Sequence, residues 1–327
     1  MKTLPLFLFW LTLLVAPGAL AQEATPEAGA YPNAHLLVDV GWLHARLDDP
    51  AVLIVDMRSP SAYRQAHVPG AVNVPVDAIS STIDGVAMEF DEEEVTAVLS
   101  AIGLTRERTV VIYDDLGMMN SARLFWTLEL VGHPDVRIVN GGWNAWVKAG
   151  YETTGVVPDV QPTDYIIELR SDRLIDAEEL LSRLGEPDLA IVDARSPGEY
   201  TGEIRLAARG GHIPGAVLFT WLDALSGGDV VYTTEPNWAE ELRDEDVEIF
   251  KPASELQALL DELNLSPDQE VITYCHTLWR GAHVYFLLRL MGFDNVRGYD
   301  GSWAEWGNRD DLPIVTGEAP GALADAS

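Results

Sequence analysis

The chain contains a single cysteine, Cys275, which ends the apolar run Val271–Tyr274 and stands five residues before Arg280. A cysteine in its thiolate form is a strong nucleophile, and its pKa falls when a cation or a helix N-terminus lies nearby. The residues after Arg280 have the pattern of a buried helix, so we expect Cys275 in a loop between a strand and a helix. The first amide groups of that helix have no acceptor within the helix and can face a sulfur or another anion. This spacing therefore predicts a nucleophilic thiolate.

The four residues between Cys275 and Arg280 are the other candidate substrate-binding residues. They are His276, Thr277, Leu278 and Trp279. His276 is either a hydrogen-bond partner of the substrate or a solvent-facing loop residue, and Trp279 is positioned to close the pocket mouth. One cysteine allows no internal disulfide, and the seven histidines do not have the spacing of metal ligands. Because no glycine-rich nucleotide loop is present either, we predict no metal and no cofactor.

Four blocks of the sequence recur in the same order, which indicates an internal duplication. The paired blocks are Ala51–Pro75 with Leu189–Tyr200 and Gly210–Phe219, Thr109–Asp115 with Glu270–His276, and Val139–Trp146 with Tyr299–Trp306. The repeated unit has the length of a whole domain, so the chain should form two similar domains rather than a solenoid. Only the second copy has the cysteine; Asp114 and Asp115 stand at the matching place in the first.

Each copy alternates short apolar strands with helical patterns. The runs Ala51–Asp56 and Leu189–Asp193 are apolar up to their final aspartate, as expected for central parallel strands covered on both faces. This alternation predicts an α/β fold in which each domain has a central parallel sheet flanked by helices. We place the domains at residues 36–151 and 173–316, joined by an extended linker at 152–172 that contains two prolines.

The second copy is longer than the first because it carries two insertions. The first insertion, Thr201–Arg209, contains two of the arginines that are candidates for reaching the pocket. The alternative is that this segment is a solvated surface loop. The second insertion, Thr233–Lys251, is strongly acidic, and the sequence does not assign it a role.

The chain carries 52 acidic and 21 basic residues, a net charge of −31. This charge opposes binding to nucleic acid or to an anionic membrane surface, so an anionic substrate needs a local positive pocket. Residues 1–21 have the pattern of a signal peptide, with Lys2, an apolar stretch and small residues before Gln22. We therefore expect cleavage before Gln22, a periplasmic or secreted mature protein, and no stable membrane insertion after cleavage.

Several of these motifs together resemble the two-domain rhodanese sulfurtransferases. They are the VDxRSPxxY and GHIPGAV segments, the strand–Cys–loop–Arg–helix stretch and the closing YDGSW, and the resemblance covers about Leu36–Thr316. It implies two rhodanese-like domains of which only the second is catalytic, because a carboxylate at Asp114 or Asp115 cannot accept sulfur. It also implies a thiosulfate sulfurtransferase that needs no cofactor. In such an enzyme Cys275 takes a sulfane sulfur as a persulfide and passes it to a thiophilic acceptor such as cyanide or a thiol.

The resemblance also separates sulfur transfer from phosphate chemistry on the same type of loop. Cys275 and Arg280 enclose a C-x4-R loop, which suits a sulfur atom. The related dual-specificity phosphatases have C-x5-R, with room for a phosphate. The shorter loop therefore disfavours phosphatase activity.

The donor is less clearly indicated than the reaction. Glu199 and Thr277 stand where animal-type thiosulfate enzymes have an arginine and a lysine. With Glu199 uncompensated, thiosulfate binding should be weak unless Arg195, Arg205 or Arg209 reaches the pocket. Two alternatives stay open: a 3-mercaptopyruvate sulfurtransferase, and an exported sulfane-sulfur carrier that hands its load to a protein partner.

Asp193 and Arg195 are the supporting residues of the predicted site. Asp193 ends the apolar run Leu189–Asp193 and Arg195 lies two residues further, so the two could pair at the strand end and tune the site. Asp56 and Arg58 hold the same places in the first copy, which lacks the thiol. We therefore expect a buried ion pair that supports the loop rather than one that takes part in catalysis.

Overall fold

The structure is a computed structural model that describes residues 30–83, 86–226 and 247–326. Within these ranges the chain forms two α/β domains, each built on a five-stranded parallel sheet flanked by helices. The duplication seen in the sequence is therefore present in the fold, and the predicted fold class is confirmed.

Among its described residues, the first domain contains seven strands, of which five form its parallel sheet. The strands are β1 Leu37–Val38, β2 Val52–Asp56, β3 Val72–Asn73, β4 Ser81–Ile83, β5 Val86–Glu89, β6 Thr109–Tyr113 and β7 Val136–Val139. The helices are α1 Val40–His44, α2 Pro60–Gln65, α3 Glu92–Ala101, α4 Met119–Leu130 and α5 Gly142–Lys148. The sheet order is β1-β7-β6-β2-β3, and β4 and β5 form a separate antiparallel hairpin.

The second domain repeats this arrangement element by element. The strands are β8 Leu174–Ile175, β9 Leu189–Asp193, β10 Val217–Leu218, β11 Leu225–Ser226, β12 Ile249–Phe250, β13 Glu270–Tyr274 and β14 Val296–Tyr299. The helices are α6 Ala177–Arg183, α7 Pro197–Thr201, α8 Ala253–Glu262, α9 Trp279–Leu290 and α10 Ser302–Trp306. The sheet order is β8-β14-β13-β9-β10, and β11 pairs with β12 in an antiparallel hairpin.

The central strands occupy equivalent places in the two sheets. All five residues of β2 are buried, as expected for a strand covered on both faces. The register pairs Asp56 with Tyr113 in the first domain and Asp193 with Tyr274 in the second. The loops that follow β6 and β13 therefore leave the carboxyl edges of the two sheets at the same position. In open α/β sheets this is the edge at which ligands bind.

Each domain contacts the other through its antiparallel hairpin. The amide of Phe90, directly after β5, donates a hydrogen bond to the carboxylate of Asp300 in the second domain. In return, the amide of Phe250 in β12 donates to Oδ1 of Asn140 in the first domain at 3.1 Å. Asn140 and Asp300 each follow the last strand of their own sheet. Each hairpin thus contacts the turn after the last strand of the opposite domain.

Helices α4 and α9 pack against each other at the centre of the domain interface. The rings of Phe125 and Phe286 meet edge to face with their centroids 4.8 Å apart. Towards the other end of these helices, Glu129 accepts hydrogen bonds from the hydroxyl of Tyr285 at 2.5 Å and from Nε of Arg289 at 3.2 Å. The interface therefore joins one continuous apolar core, since residues of both domains belong to the same buried cluster.

The segment predicted as a linker, residues 152–172, contains almost no helix or strand and lies along the first domain. The amide of Glu168 donates to the carbonyl of Val131 at 3.0 Å, and the amide of Thr163 donates to the carbonyl of Ser100 at 3.0 Å. These bonds fix the segment to the surface of the domain that precedes it.

The predicted signal peptide, residues 1–21, lies outside the described residues, as does most of the acidic insertion Thr233–Lys251. Within the three described ranges, no helix combines the length and the apolar character needed to cross a lipid bilayer.

Candidate active site

Cys275 directly follows β13, and α9 begins four residues later at Trp279. The predicted position of the thiol, between a strand and a helix, is confirmed. Leu278 caps the helix in a left-handed conformation with φ 63°, which turns the chain sharply into α9. Gly281 allows this close approach, because a Cβ there would lie 3.0 Å from the carbonyl carbon of Tyr274. The loop is therefore compact and directs the first turn of α9 towards the strand end.

Ser302 supports this loop through hydrogen bonds of its hydroxyl group. Its Oγ accepts hydrogen bonds from the amides of Cys275 at 3.4 Å and Leu278 at 3.0 Å, and it donates to the carbonyl of Tyr299 at 2.8 Å. The amide of Trp303 donates to the carbonyl of Cys275 at 3.0 Å. Ser302 lies in the YDGSW motif, although it was not among the predicted site residues.

The thiol is more buried than the sequence suggested. Cys275 is 1% exposed, and it belongs to the main apolar core together with Leu278, Trp279 and Trp221. The reason is that Leu278 and Trp279, at the end of the loop, are buried and pack in the same core. Only a small part of the Cys275 surface is therefore accessible to a sulfur donor.

The first domain shows what the equivalent loop binds. Asp114 follows β6 as Cys275 follows β13, and it is buried. Its carboxyl oxygens accept hydrogen bonds from the amides of Leu116 at 2.7 Å, Met118 at 3.1 Å and Ser121 at 2.6 Å. Burial raises the pKa of Asp114, while these hydrogen bonds act in the opposite direction. The amides of this loop therefore converge on the group that stands at the strand end.

Arg280 forms a bidentate ion pair with Glu199. Its Nη1 lies 2.6 Å from Oε2, and its Nη2 lies 2.9 Å from Oε1. Both side chains are buried, with 8% and 6% of their surface exposed. The expectation that Glu199 is uncompensated was therefore wrong. The reason is that α7 places Glu199 beside the first turn of α9, where the two side chains meet directly.

The ion pair is fixed by a further contact of Glu199. This residue closes the capping box of α7, in which its carboxylate accepts from both the amide and the hydroxyl of Ser196, at 3.1 and 2.9 Å. Burial raises the pKa of Glu199, but the charge of Arg280 and its hydrogen bonds outweigh burial and lower that pKa to about 2. Glu199 is therefore ionised at neutral pH, and Arg280 is electrically compensated.

The other predicted binding residues lie in the same loop with different exposure. His276 and Thr277 are half-buried, whereas Trp279 is buried. Burial, and next the charge of Arg280, lowers the pKa of His276, so its imidazole is neutral at neutral pH. Its Nδ1 is buried and has no hydrogen-bond partner among the described residues. The role of these residues in binding stays a prediction.

The buried ion pair predicted for Asp193 and Arg195 is present. Nη2 of Arg195 lies 2.6 Å from Oδ2 of Asp193, and both side chains are buried. Asp56 and Arg58 form the same pair in the first domain at 2.7 Å. The hydroxyls of Tyr113 and Tyr274 donate to the respective carboxylates, each at 2.6 Å. Because the arrangement is identical beside Asp114 and beside Cys275, its common task is to hold the strand ends.

Arg195 and Arg209 donate to backbone carbonyls, whereas Arg205 is exposed. Arg195 donates to the carbonyl of Gly211 at 2.6 Å, and Arg209 donates to the carbonyl of Trp306 at 3.0 Å. Arg205 is exposed on the insertion. In the part of the chain that the structure describes, no group of three or more histidine, cysteine, aspartate or glutamate side chains is arranged to hold a metal ion.

Two stretches of the chain, residues 39–149 and 176–309, match the model of the rhodanese-like domain. Among solved structures, YnjE superposes with a TM-score of 0.75 at 26% identity and covers 91% of this chain and 71% of its own. The anaerobic ergothioneine biosynthesis enzyme from Chlorobium limicola superposes with the same TM-score and identity, over 90% of this chain and 73% of its own.

Relatives of similar length are more closely related in sequence. The thiosulfate sulfurtransferase of Azotobacter vinelandii is 34% identical over 285 residues, which are 87% of this chain and 98% of the relative. That of Corynebacterium glutamicum is 36% identical over 307 residues, 90% of this chain and 94% of the relative. The sulfur carrier protein TtuD of Thermus thermophilus is 33% identical over 303 residues, 88% and 99% of the two chains. With both halves matched and a thiol at the strand end of the second, the chain belongs to the rhodanese family as a sulfurtransferase-type enzyme with two rhodanese-like domains.

Proposed function

We propose that the protein transfers a sulfane sulfur from thiosulfate, or a similar donor, to a thiophilic acceptor through a persulfide on Cys275. In the first step the thiolate attacks the outer sulfur of thiosulfate. A new sulfur–sulfur bond forms on Cys275, the sulfur–sulfur bond of thiosulfate breaks, and its electron pair leaves with sulfite. In the second step the acceptor, cyanide or a thiol, attacks the outer sulfur of the persulfide and restores the thiolate. No other oxidant or reductant is consumed.

The observation that carries this proposal is the pairing of Cys275 with Asp114 at equivalent positions. In the first domain, three amides within 3.1 Å converge on the carboxyl group at the strand end. The loop of the second domain has the same left-handed cap before its helix, at Leu278 as at Met118. In the second domain the amide of Leu278 donates to Oγ of Ser302, so an anionic sulfur at the strand end relies on the amides of the first turn of α9, which have no acceptor within the helix. A persulfide on Cys275 is such an anion.

The donor preference follows from the charges around the loop. Glu199 neutralises Arg280, Asp193 neutralises Arg195, and the imidazole of His276 is neutral. Binding of thiosulfate therefore rests on loop amides and on the neutral His276 rather than on a free cation. We infer that thiosulfate is a usable but weakly bound donor, and that 3-mercaptopyruvate, with a single carboxylate, is the alternative to compare with it.

The experiment is intact-mass measurement of the purified protein after treatment with thiosulfate. We expect the mass to increase by one sulfur atom, to return to its original value on addition of cyanide, and to stay unchanged in Cys275→Ser. An increase that survives in Cys275→Ser would refute the assignment of the sulfur to this residue. Parallel steady-state assays with thiosulfate and 3-mercaptopyruvate at equal concentration rank the two donors.

A sulfur carrier is the second candidate. It is supported by the relative named a sulfur carrier protein and by the burial of Cys275, which shields a persulfide from small reagents. A carrier loads sulfur in a single turnover but releases it slowly to cyanide or dithiothreitol. A persulfide that persists with small acceptors and is discharged by a protein thiol would favour the carrier over the enzyme.

We also propose that the mature protein acts in the periplasm or outside the cell, on the pattern of residues 1–21. The measurement is the N-terminal sequence of the protein recovered from the native host, which should begin at Gln22. A mature chain that begins at Met1 would contradict export by cleavage.

A further inference from the structure

The turn after the last strand of each sheet receives a hydrogen bond from the opposite domain. In the second domain this turn begins at Asp300, which accepts from the amide of Phe90. In the first domain it begins at Asn140, which accepts from the amide of Phe250 at 3.1 Å. The two contacts are equivalent by position, so each domain serves as an internal control for the other.

The two sides differ in charge. On the catalytic side, Nη1 of Arg123 lies 2.5 Å from Oδ1 of Asp300, and the two side chains are 1% and 6% exposed. Arg123 is the fifth residue of α4, and the fifth residue of α9 is His283. Nε2 of His283 lies 3.1 Å from the carbonyl oxygen of Gly117, and burial keeps its imidazole neutral by lowering its pKa to about 3. A buried ion pair therefore occurs at the turn beside Cys275, while neutral groups occupy the matching places beside Asp114.

This difference is not explained by stability alone. The free energy needed to remove two charges from water can equal or exceed the free energy gained from their attraction. A protein in which neutral residues replace a buried ion pair is therefore often as stable. The neutral arrangement around Asn140 and His283 demonstrates that the same architecture forms without an ion pair. The position of the charged pair at Asp300 offers another explanation.

The pair adjoins the support of the thiol loop. Two residues after Asp300 comes Ser302, which has a left-handed backbone with φ 49° and whose Oγ accepts from the amides of Cys275 and Leu278. A left-handed conformation costs a non-glycine residue on the order of 1–2 kcal/mol and persists only where neighbouring groups fix it. Gly142 occupies the equivalent place in the first domain, with φ 51°, and it has no side chain that could accept hydrogen bonds from the loop.

We propose that Arg123 and Asp300 are positioning residues for sulfur transfer. Through this ion pair the first domain, which has no thiol of its own among its described residues, fixes the turn that carries Ser302 and thereby the loop amides around Cys275. The expected effect on the rate of sulfur transfer rests on the proposed function. The proposed effect on the structure, a well-ordered loop around Cys275, does not depend on which sulfur donor the enzyme uses.

The test is the double variant Arg123→His/Asp300→Asn, which introduces at this turn the residue types found on the other side. We expect a folded protein whose Cys275 is alkylated faster by iodoacetamide, because the loop is less ordered. Single-turnover loading of sulfur from thiosulfate should fall by at least about tenfold, since small displacements of reacting groups carry such costs. The matched control is Asn140→Ala, which removes the equivalent acceptor beside Asp114 and should leave both rates within about twofold of the unmodified protein.

Two further variants keep the proposal testable if the double variant does not fold. Arg123→Lys retains the charge and should retain most of the loading rate, whereas Arg123→Met should not. Unchanged alkylation and loading rates in the folded double variant would overturn the proposal, as would an equal loss in Asn140→Ala. If the unmodified protein itself takes no sulfur from thiosulfate, the proposed donor is wrong, and the alkylation rates alone then decide whether the ion pair orders the loop.

Discussion

Glu199 holds both terminal nitrogens of Arg280, at 2.6 and 2.9 Å, although 81 residues separate the two along the chain. The guanidinium beside the thiol is therefore already occupied by an internal carboxylate. An anionic donor competes with Glu199 for Arg280 or binds without it. We therefore expect Glu199 to weaken the binding of a doubly charged donor.

Glu199→Gln should lower the KM for thiosulfate. The variant frees one positive charge near the site, which is worth on the order of 1–2 kcal/mol towards a buried anion, or about tenfold in affinity. The matched control is Glu129→Gln, which removes the charge of an ion pair with Arg289 towards the far end of α9. Steady-state assays should show the change in KM for the first variant alone. A KM that rises in Glu199→Gln would mean that Glu199 helps the donor rather than opposing it.

The pH dependence of stability should also reveal the Glu199 ion pair. The pKa of Glu199 is lowered from 4.5 to about 2 in the folded protein. A carboxylate with a lowered pKa stabilises the fold above its unfolded pKa, and this contribution disappears as the pH falls through the folded pKa. We expect the free energy of unfolding of the unmodified protein to exceed that of Glu199→Gln by about 3 kcal/mol at neutral pH, judged from the shift alone.

Urea unfolding of both proteins at several pH values measures this difference. It should be constant above about pH 5 and should shrink between about pH 4.5 and pH 2. A difference that does not change with pH in this window would show that Glu199 is not the group responsible.

Cys275 should be protected from alkylation in the native protein. Its 1% exposure means that iodoacetamide reacts only through local opening. We expect the native rate to be about a hundredfold below the rate in urea, which corresponds to an opening free energy of roughly 3 kcal/mol. The control is Cys275→Ser combined with Ser182→Cys, since Ser182 is exposed. That thiol should react equally fast in both conditions, and equal rates for Cys275 would mean that the loop is open in solution.

The paired ion pairs at the strand ends allow a direct comparison of structural and catalytic roles. Asp193→Asn and Asp56→Asn each leave a buried arginine without its charge partner. We expect each to destabilise its domain by about 3–5 kcal/mol. Corrected for the folded fraction, the sulfur-loading rate of Asp193→Asn should equal that of Asp56→Asn. A rate that falls further in Asp193→Asn would assign Asp193 a role in the reaction itself.

The sequence predicts the local features of the site well, because they depend on neighbouring residues. The apolar run before Cys275 and the helical pattern after Arg280 place the thiol between β13 and α9. Likewise, the recurrence of Asp56 and Arg58 as Asp193 and Arg195 indicated a supporting ion pair, and both copies form it. In each case, elements close in sequence, or repeated in it, determine the contact.

The features that the sequence did not reveal are contacts between distant segments. The pairing of Glu199 with Arg280 depends on where α7 lies relative to α9, which no local pattern specifies. The contact between Phe90 and Asp300 joins residues 210 positions apart and forms only when the hairpin of the first domain packs against the second domain. The burial of Cys275 follows from the same packing. Such properties arise only when both sheets and their interface are assembled.

The hairpin contacts between the domains also bear on how the two halves can change over time. Under the proposed role of Arg123 and Asp300, the half with Cys275 depends on the half without a thiol, so we expect neither half alone to transfer sulfur. On this proposal, a substitution at Phe90 or Arg123 is expected to lower the rate of sulfur transfer at Cys275. The first domain has no thiol at the position of Cys275, and selection is expected to act on it through its effect on the second domain.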